Sequence, residues 1–198
     1  YIHSTVDILY DHFSHPLNCT IKVPSDHRKY QRKVVNLMNI VAIVDGTEQQ
    51  VYSAIDKLNE RARYSGKKRL HTFTLLIVCS PQGKIYWISD SYNGSLNDKN
   101  LVDLAENREF FQQNFKQHEW IAGDLGFKGM WQYCSTQTPI TPNRQPLTPY
   151  EQQFNKEFKS IRIVVENTIG QIKNWNICSS LFRHNSIHTH HKLSLIHI

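Results

Sequence analysis

The amino-acid sequence predicts an α/β domain, a mixed β-sheet flanked by helices. Three observations carry that expectation. A β-branched run at residues 40–44 stops at Asp45-Gly46, which reads as a buried strand followed by a turn. Two further strand-like runs, residues 72–80 and 84–89, flank the turn signal Pro81-Gln82-Gly83 and predict a hairpin. Residues 150–175 carry a helical apolar stripe.

Residues 1–35 are polar and His-rich with weak periodicity, and read as a lead-in to something upstream. After the hairpin, Asn93-Gly94-Ser95 breaks the chain. Asn97 or Asp98 is placed to cap one helix running through Leu101, Leu104 and Ala105 towards Phe115. Residues 119–123 form a fourth short strand ending at Asp124. Pro139, Pro142, Pro146 and Pro149 mark residues 135–149 as an irregular loop, and Thr148 before Pro149 is a helix start. On the long helix Phe154, Phe158, Ile161, Val165, Ile169 and Ile172 share one stripe, with Arg162, Glu166, Gly170 and Lys173 on the next. Gly170 is costly inside a helix, and a close approach of another backbone or of DNA would account for it.

Length and composition set limits. The chain has 198 residues, 39% apolar, 20% charged and 11% aromatic, enough for one domain with its own core. That balance excludes a disordered or fibrous chain. Apolar runs fall far short of the roughly 18 residues a membrane span needs. With no secretory pattern at its start and four Cys far apart in sequence, the chain reads as an intracellular protein with reduced cysteines. Its net charge of +6 is concentrated. Lys57, Arg61, Arg63, Lys67, Lys68 and Arg69 stand against Glu60 alone in residues 57–71, and a second basic excess spans residues 155–192. Two basic segments suit a polyanion, most simply nucleic acid, although a solvated basic face fits charge alone equally well.

Three acids are candidates for chemistry. Asp45 and Asp124 each sit where an apolar run ends beside a glycine, a placement that fixes a side chain yet leaves it open to a ligand. Either alone could simply cap a turn. Glu166 lies beside the apolar stripe and alone would pair with Arg162 one turn away. Together the three could converge on hard divalent cations, which take carboxylate oxygens and leave room for water and phosphate. Two such ions would activate a water or a 3′-hydroxyl for in-line displacement at phosphorus.

The chain also carries a series of motifs in order: Ile43-Val44-Asp45-Gly46-Thr47-Glu48, Tyr64-Ser65-Gly66-Lys67-Lys68-Arg69-Leu70-His71-Thr72, Asn93-Gly94-Ser95-Leu96-Asn97-Asp98, Gly123-Asp124-Leu125-Gly126-Phe127, and a stretch from Arg162 through Glu166 and Gly170 to Lys173. In this order they resemble the catalytic domain of DDE-superfamily transposases, above all the PIF/Harbinger group and related bacterial insertion-sequence transposases. The resemblance covers residues 39–192, and it implies that residues 1–38 are the linker that follows a missing N-terminal DNA-binding region. It implies an RNase H-like fold, a catalytic and metal-binding triad of Asp45, Asp124 and Glu166, and Mg²⁺ or Mn²⁺, two ions, as cofactor. It implies DNA strand cleavage and strand transfer at transposon ends. Asp98 matches a frequent acid of the Gly-Ser-x-x-Asp motif and is expected to cap a helix or support the ligands, not to bind metal itself. Lys67, Lys68, His71, Arg162 and Lys173 are the expected DNA contacts. Asn93, Phe127 and Lys159 depart from the usual Pro, Tyr and Tyr, and none is a proposed ligand.

Double-stranded DNA is the expected partner, with a homo-oligomer and a separate DNA-binding protein as further partners and no membrane. The nucleus of a eukaryote, or the cytoplasm and nucleoid of a bacterium, is the expected location. A domesticated DNA-binding or scaffold protein that no longer cuts is the alternative reading. Leu193-Ser194-Leu195-Ile196-His197-Ile198 coincides with what the mosaic-end adapter of sequencing libraries encodes in one frame. Residues 193–198 are therefore expected to be an adapter-derived tail, and the catalytic domain to be truncated at its last helix. His184, His188, His190 and His191 are not expected to bind metal, because no acid or Cys accompanies them in sequence.

Overall fold

The computed structural model describes residues 23–34, 38–53, 57–184 and 186–196. Strands β1 (Arg32–Val34) and β2 (Met38–Gln50) precede helix α1 (Lys57–Arg63), β3 (Tyr64–Ser65) and β4 (Leu70–Cys79). Next come β5 (Ile85–Ile88), β6 (Tyr92–Asn93), α2 (Asp98–Val102), α3 (Ala105–Asn114) and β7 (Trp120–Ala122). The chain continues through β8 (Thr136–Gln137), α4 (Pro149–Lys173), α5 (Asn176–Ser179) and α6 (Ile187–Ile196).

The spine of the sheet runs β3-β4-β2-β7-β8. β2 is antiparallel to β1 and β4 but parallel to β7, which is in turn parallel to β8. Helices cover both faces. Val41, Val44, Leu76, Val78 and Ile121 pack with Leu101, Val102 and Phe111 of α2 and α3, whereas Ile40, Ile43, Cys79 and Ala122 pack with Phe154, Phe158, Ile161 and Val165 of α4. Each large apolar side chain so buried contributes about 1.5–3 kcal/mol. A register shift between Ile40 and Ala42 explains how Ile40 and Ile43, three apart, share one face. This mixed sheet between helices is the RNase H-like arrangement.

Several elements fall where the sequence places them. β4 and β5 form the hairpin, turned by Gly83 with φ of +87°, a backbone that favours glycine. The long helix begins in a capping box, with Thr148 Oγ1 accepting from the Glu151 amide and Glu151 accepting from the Thr148 amide.

Three expectations are corrected. β2 does not stop at Asp45 but continues to Gln50, paired residue by residue with β4. The apolarity that identifies this half of the strand belongs to its partner, while Gly46 to Gln50 are small or polar. The expected single helix after Asn97 is two helices, broken at Leu104 in extended backbone. There the buried Asn107 side chain donates to Leu101 O (2.7 Å) in place of a helical amide. Of the two residues expected as the cap of the first, Asn97 serves: its Oδ1 accepts from the Asn100 amide at 2.9 Å. The proline-marked loop contains a strand, β8, too short for periodicity to reveal.

Residues 23–34 pack on the domain. β1 pairs with β2, and Gln82 Nε2 donates to Tyr30 O at 2.9 Å. Glu119, 2% exposed, accepts from Arg28 Nε and from the Lys116 amide (2.9 Å), with His27 at 3.3 Å. Burial alone would raise its pKa; the Lys116 amide, Arg28 and His27 outweigh that and hold the carboxyl below the usual range.

At the other end α6 is tied to the sheet through His190, 3% exposed. Gln49 donates its amide to Ile177 O and Ser180 O, which turns its Oε1 towards His190 Nε2 at 2.9 Å. The ring therefore donates from Nε2 and accepts at Nδ1 from the Ser91 hydroxyl (2.7 Å), the neutral form. Burial and the neighbouring His191 push its pKa down to about 4.

Cys79, Cys134 and Cys178 are free thiols, and Cys19 lies outside the described residues. Residues 1–22 and 35–37 of the expected linker, and residues 197–198 of the expected tail, also lie outside them. No helix among the described residues is long and apolar enough to cross a membrane.

Candidate active site at the centre of the sheet

Asp45 lies in the middle of β2, opposite Ile77 of β4. Strand alternation carries it, with Ile43, towards the α4 face. Its Oδ1 accepts from the Gly46 amide at 2.8 Å. Burial is the main force on its carboxyl and pushes the pKa up to about 6; the Gly46 amide and Arg162 oppose that rise, and Asp124 and Asp98 add to it.

Asp124 follows β7, which lies beside β2. It caps the one-turn helix Leu125–Phe127, accepting from the Gly126 amide at 2.7 Å. The capping role and a place in the acidic group are thus compatible in one side chain. Asp98, freed from capping by Asn97, enters the same space. A Cβ built on Gly46 would meet Asp98 Oδ1 at 2.5 Å, and one on Gly126 would meet Asp98 Oδ2 at 2.6 Å and Asp124 Oδ1 at 2.9 Å. Burial and the charge of Asp124 raise the Asp98 pKa, against the pull of Lys67. The structure therefore brings Asp45, Asp98 and Asp124 together.

Glu166 is placed differently. It stands on the outer side of α4, 53% exposed, with its carboxylate 3.5 Å from Arg162, which is 20% exposed. Arg162 is among the charges that act on Asp45.

Basic residues surround the acids. Lys67 lies near Asp98, and a cleft of about 270 Å³ runs between them, lined by Gly46, Glu48, Gly66 and Ser95. Lys173 donates to Glu48 O at 3.2 Å. Burial and Lys68 lower its pKa, while Glu48 and Asp45 raise it. Lys68, Lys173 and Arg162 thus share the neighbourhood of Asp45. His71 instead faces Glu60 at 4.0 Å and the Tyr64 ring. Gly170 has open space where a Cβ would stand, so among the described residues no backbone accounts for it.

Glu48 is the residue that reading the sequence missed. It shares β2 with Asp45, and its Oε2 accepts from Thr72 Oγ1 at 2.7 Å. Its place after Asp45-Gly46-Thr47 was the available signal, obscured by the expectation of a turn there.

Carboxylates on a mixed sheet, ringed by lysines and an arginine, are what phosphodiester chemistry requires. The family described as DDE superfamily endonuclease matches residues 44–197, most of the chain. The chain belongs to the DDE superfamily endonucleases. It is 28% identical over 127 residues to the Rattus norvegicus protein named "Putative nuclease HARBI1", covering 64% of this chain and 35% of that one. The Homo sapiens protein of the same name is 25% identical over 151 residues, 75% of this chain and 42% of that one. A Microchaete diplosiphon protein, "Probable transposase for insertion sequence element IS702", is 26% identical over 159 residues, 79% of this chain and 54% of that one. The chain thus spans about a third to a half of these relatives. No solved structure matches it.

DDE endonucleases generally use divalent metal ions, which take hard carboxylate oxygens. Asp45, Asp98 and Asp124 offer hard anionic oxygens, and the Gly46 and Gly126 backbones leave space that a Cβ would fill. Among the described residues no three His, Cys, Asp or Glu side chains stand grouped so that they could hold a metal ion.

Proposed function

We propose that this chain is the catalytic domain of a DNA transposase, cleaving and joining strands at transposon ends, with Asp45, Asp124 and Glu166 as its catalytic and metal-binding acids. The observation that supports this reading best is the convergence of Asp45 and Asp124 within a rim of Lys67, Lys68, Lys173 and Arg162. Mg²⁺ or Mn²⁺, two ions, would activate a water or 3′-hydroxyl and stabilise the leaving oxygen. Asp45 and Asp124 would hold them from neighbouring strands, and Glu166 from α4. Lys67, Lys68 and Lys173 would hold DNA phosphates, and Arg162 would orient Glu166. His71 would meet the backbone further out. Such a domain would act on double-stranded DNA, in the nucleus of a eukaryote or the nucleoid of a bacterium. An upstream DNA-binding region or a partner protein would supply end recognition, and a second copy of the domain the opposite end.

A second reading, a DNA-binding or scaffold protein that does not cut, draws support from the exposed Glu166 paired with Arg162. One experiment separates the two. The longer protein containing this chain is incubated with its own element ends in Mg²⁺, alongside its Glu166→Gln variant. Cleavage by the parent that Glu166→Gln abolishes, with salt-sensitive binding retained, is the expected result. Equal cleavage by both removes Glu166 from the triad, and binding without cleavage by the parent favours the scaffold.

A further inference from the structure

We propose that the groove beyond Asp124, between the Leu125–Lys128 turn and the segment that follows β8, binds an unpaired strand of DNA, while Lys67 and Lys68 hold duplex. This rests on the DNA reading above and deepens it by naming a contact that selects one strand.

The sheet places the groove. β7 and β8 are parallel, and open α/β sheets leave room for ligands beyond the carboxyl ends of such strands. Asp124 follows β7 and Thr138 follows β8. The Gly123 amide donates to Gln137 O at 3.0 Å, so the groove opens directly beside Asp124. Its volume is about 590 Å³, a size that suits nucleotides of one strand and not a duplex.

Its wall is built in advance. Asn155 of α4 clamps the Ile140 backbone, donating from Nδ2 to Ile140 O at 2.8 Å and accepting the Ile140 amide at Oδ1 at 2.9 Å. On either side of that clamp Thr138, Thr141 and Asn143 line the groove, and among the described residues their side chains make no hydrogen bond. Leu125, 48% exposed, and Pro139 supply an apolar surface. An unpaired base packs its face on apolar side chains and offers its edge to hydroxyl and amide groups. In a duplex that edge is paired and that face is stacked. Charge agrees with a strand of phosphates: residues 125–150 contain Lys128 and Arg144 and no acid.

The test compares two probes on the whole chain in EDTA, a short fluorescent single-stranded oligodeoxynucleotide and the same sequence as a duplex. Lys128→Ala combined with Asn143→Ala should weaken single-strand binding about tenfold and duplex binding less than about twofold. Lys67→Ala combined with Lys68→Ala should do the reverse. Melting temperature should not move for the first pair, since both side chains are exposed. A single strand carrying iododeoxyuridine, irradiated on the parent, should attach to peptides within residues 125–143. Equal loss of both probes in the Lys128, Asn143 variant, or attachment confined to residues 64–71, overturns the groove and leaves the DNA reading standing. Selective loss with attachment at 125–143, in a protein that never cuts its element ends, supports the groove while the transposase reading falls. Binding of neither probe overturns both.

Discussion

Asp98 and Gly126 stand so close that a methyl group on Gly126 would meet the carboxylate at 2.6 Å. Gly126 is present for room, since its φ is not in the left-handed region. Gly126→Ala should force Asp98 aside, cost about 1–3 kcal/mol by overpacking, and weaken Mn²⁺ binding about tenfold or more. Urea unfolding and Mn²⁺ titration read the two effects. Asp98→Ala in the Gly126→Ala background should recover the stability, a non-additive pair.

The rim should behave as a phosphate contact. Lys67 and Lys68 are exposed on the segment between β3 and β4. Each contact to duplex DNA contributes about 0.9 to the slope of log affinity against log salt, so replacing both by Ala should lower its magnitude by up to about 2. Melting temperature should stay within about a degree or two of the parent, as expected for surface changes. A large loss of stability with an unchanged slope would make the segment structural.

His190 gives the fold an acid limit. Its pKa in the folded chain, about 4, is below the ordinary 6.5, because it is buried between Phe73, Phe182 and the Ser91 and Gln49 hydrogen bonds, with His191 the nearest charge. Between those values the unfolded chain binds a proton that the folded chain refuses. Stability is therefore full above pH 6.5, falls as pH drops through that window, and levels below pH 4. The loss should be about 3 kcal/mol. The difference between parent and His190→Gln in urea unfolding across pH 4–7 isolates it, since the variant lacks the slope.

The long-range pair at the edge of the core is also open to test. Arg28→Ala removes a charged donor from the buried Glu119, leaving the Lys116 amide and His27. A loss of about 1–3 kcal/mol is expected. Glu119→Gln in the same background should recover part of it by removing the uncompensated charge. An unchanged urea midpoint in Arg28→Ala would show that residues 23–34 rest on the domain without supporting it.

Much of this was readable in advance, for identifiable reasons. The apolar stripe from Phe154 to Val165 and the Thr148 cap state α4 in local terms, and the turn at Gly83 states the hairpin. Asp45-Gly46 misled because the pair commonly marks a turn, whereas here Gly46 makes space for a side chain more than fifty residues away. No local pattern carries that information. Likewise Asn97 and Asp98 are interchangeable as caps in sequence, and only the position of Gly46 and Gly126 decides which one turns inward. The placement of Glu166 beside Arg162 follows from their spacing of four.

Asp45 sits mid-strand in β2, whose neighbours hold it from Met38 to Gln50, while Lys67 and Lys68 sit on an exposed connection beside Gly66, where even an added Cβ would touch nothing. Amides at the centre of such a sheet exchange with solvent only in rare, near-global openings, and those of an exposed connection exchange through small local ones. The two halves of the site therefore run on separate clocks. On the proposed reading, the acids would keep their positions over the lifetime of the folded chain, and Lys67 and Lys68 would rearrange many times within a single encounter with DNA.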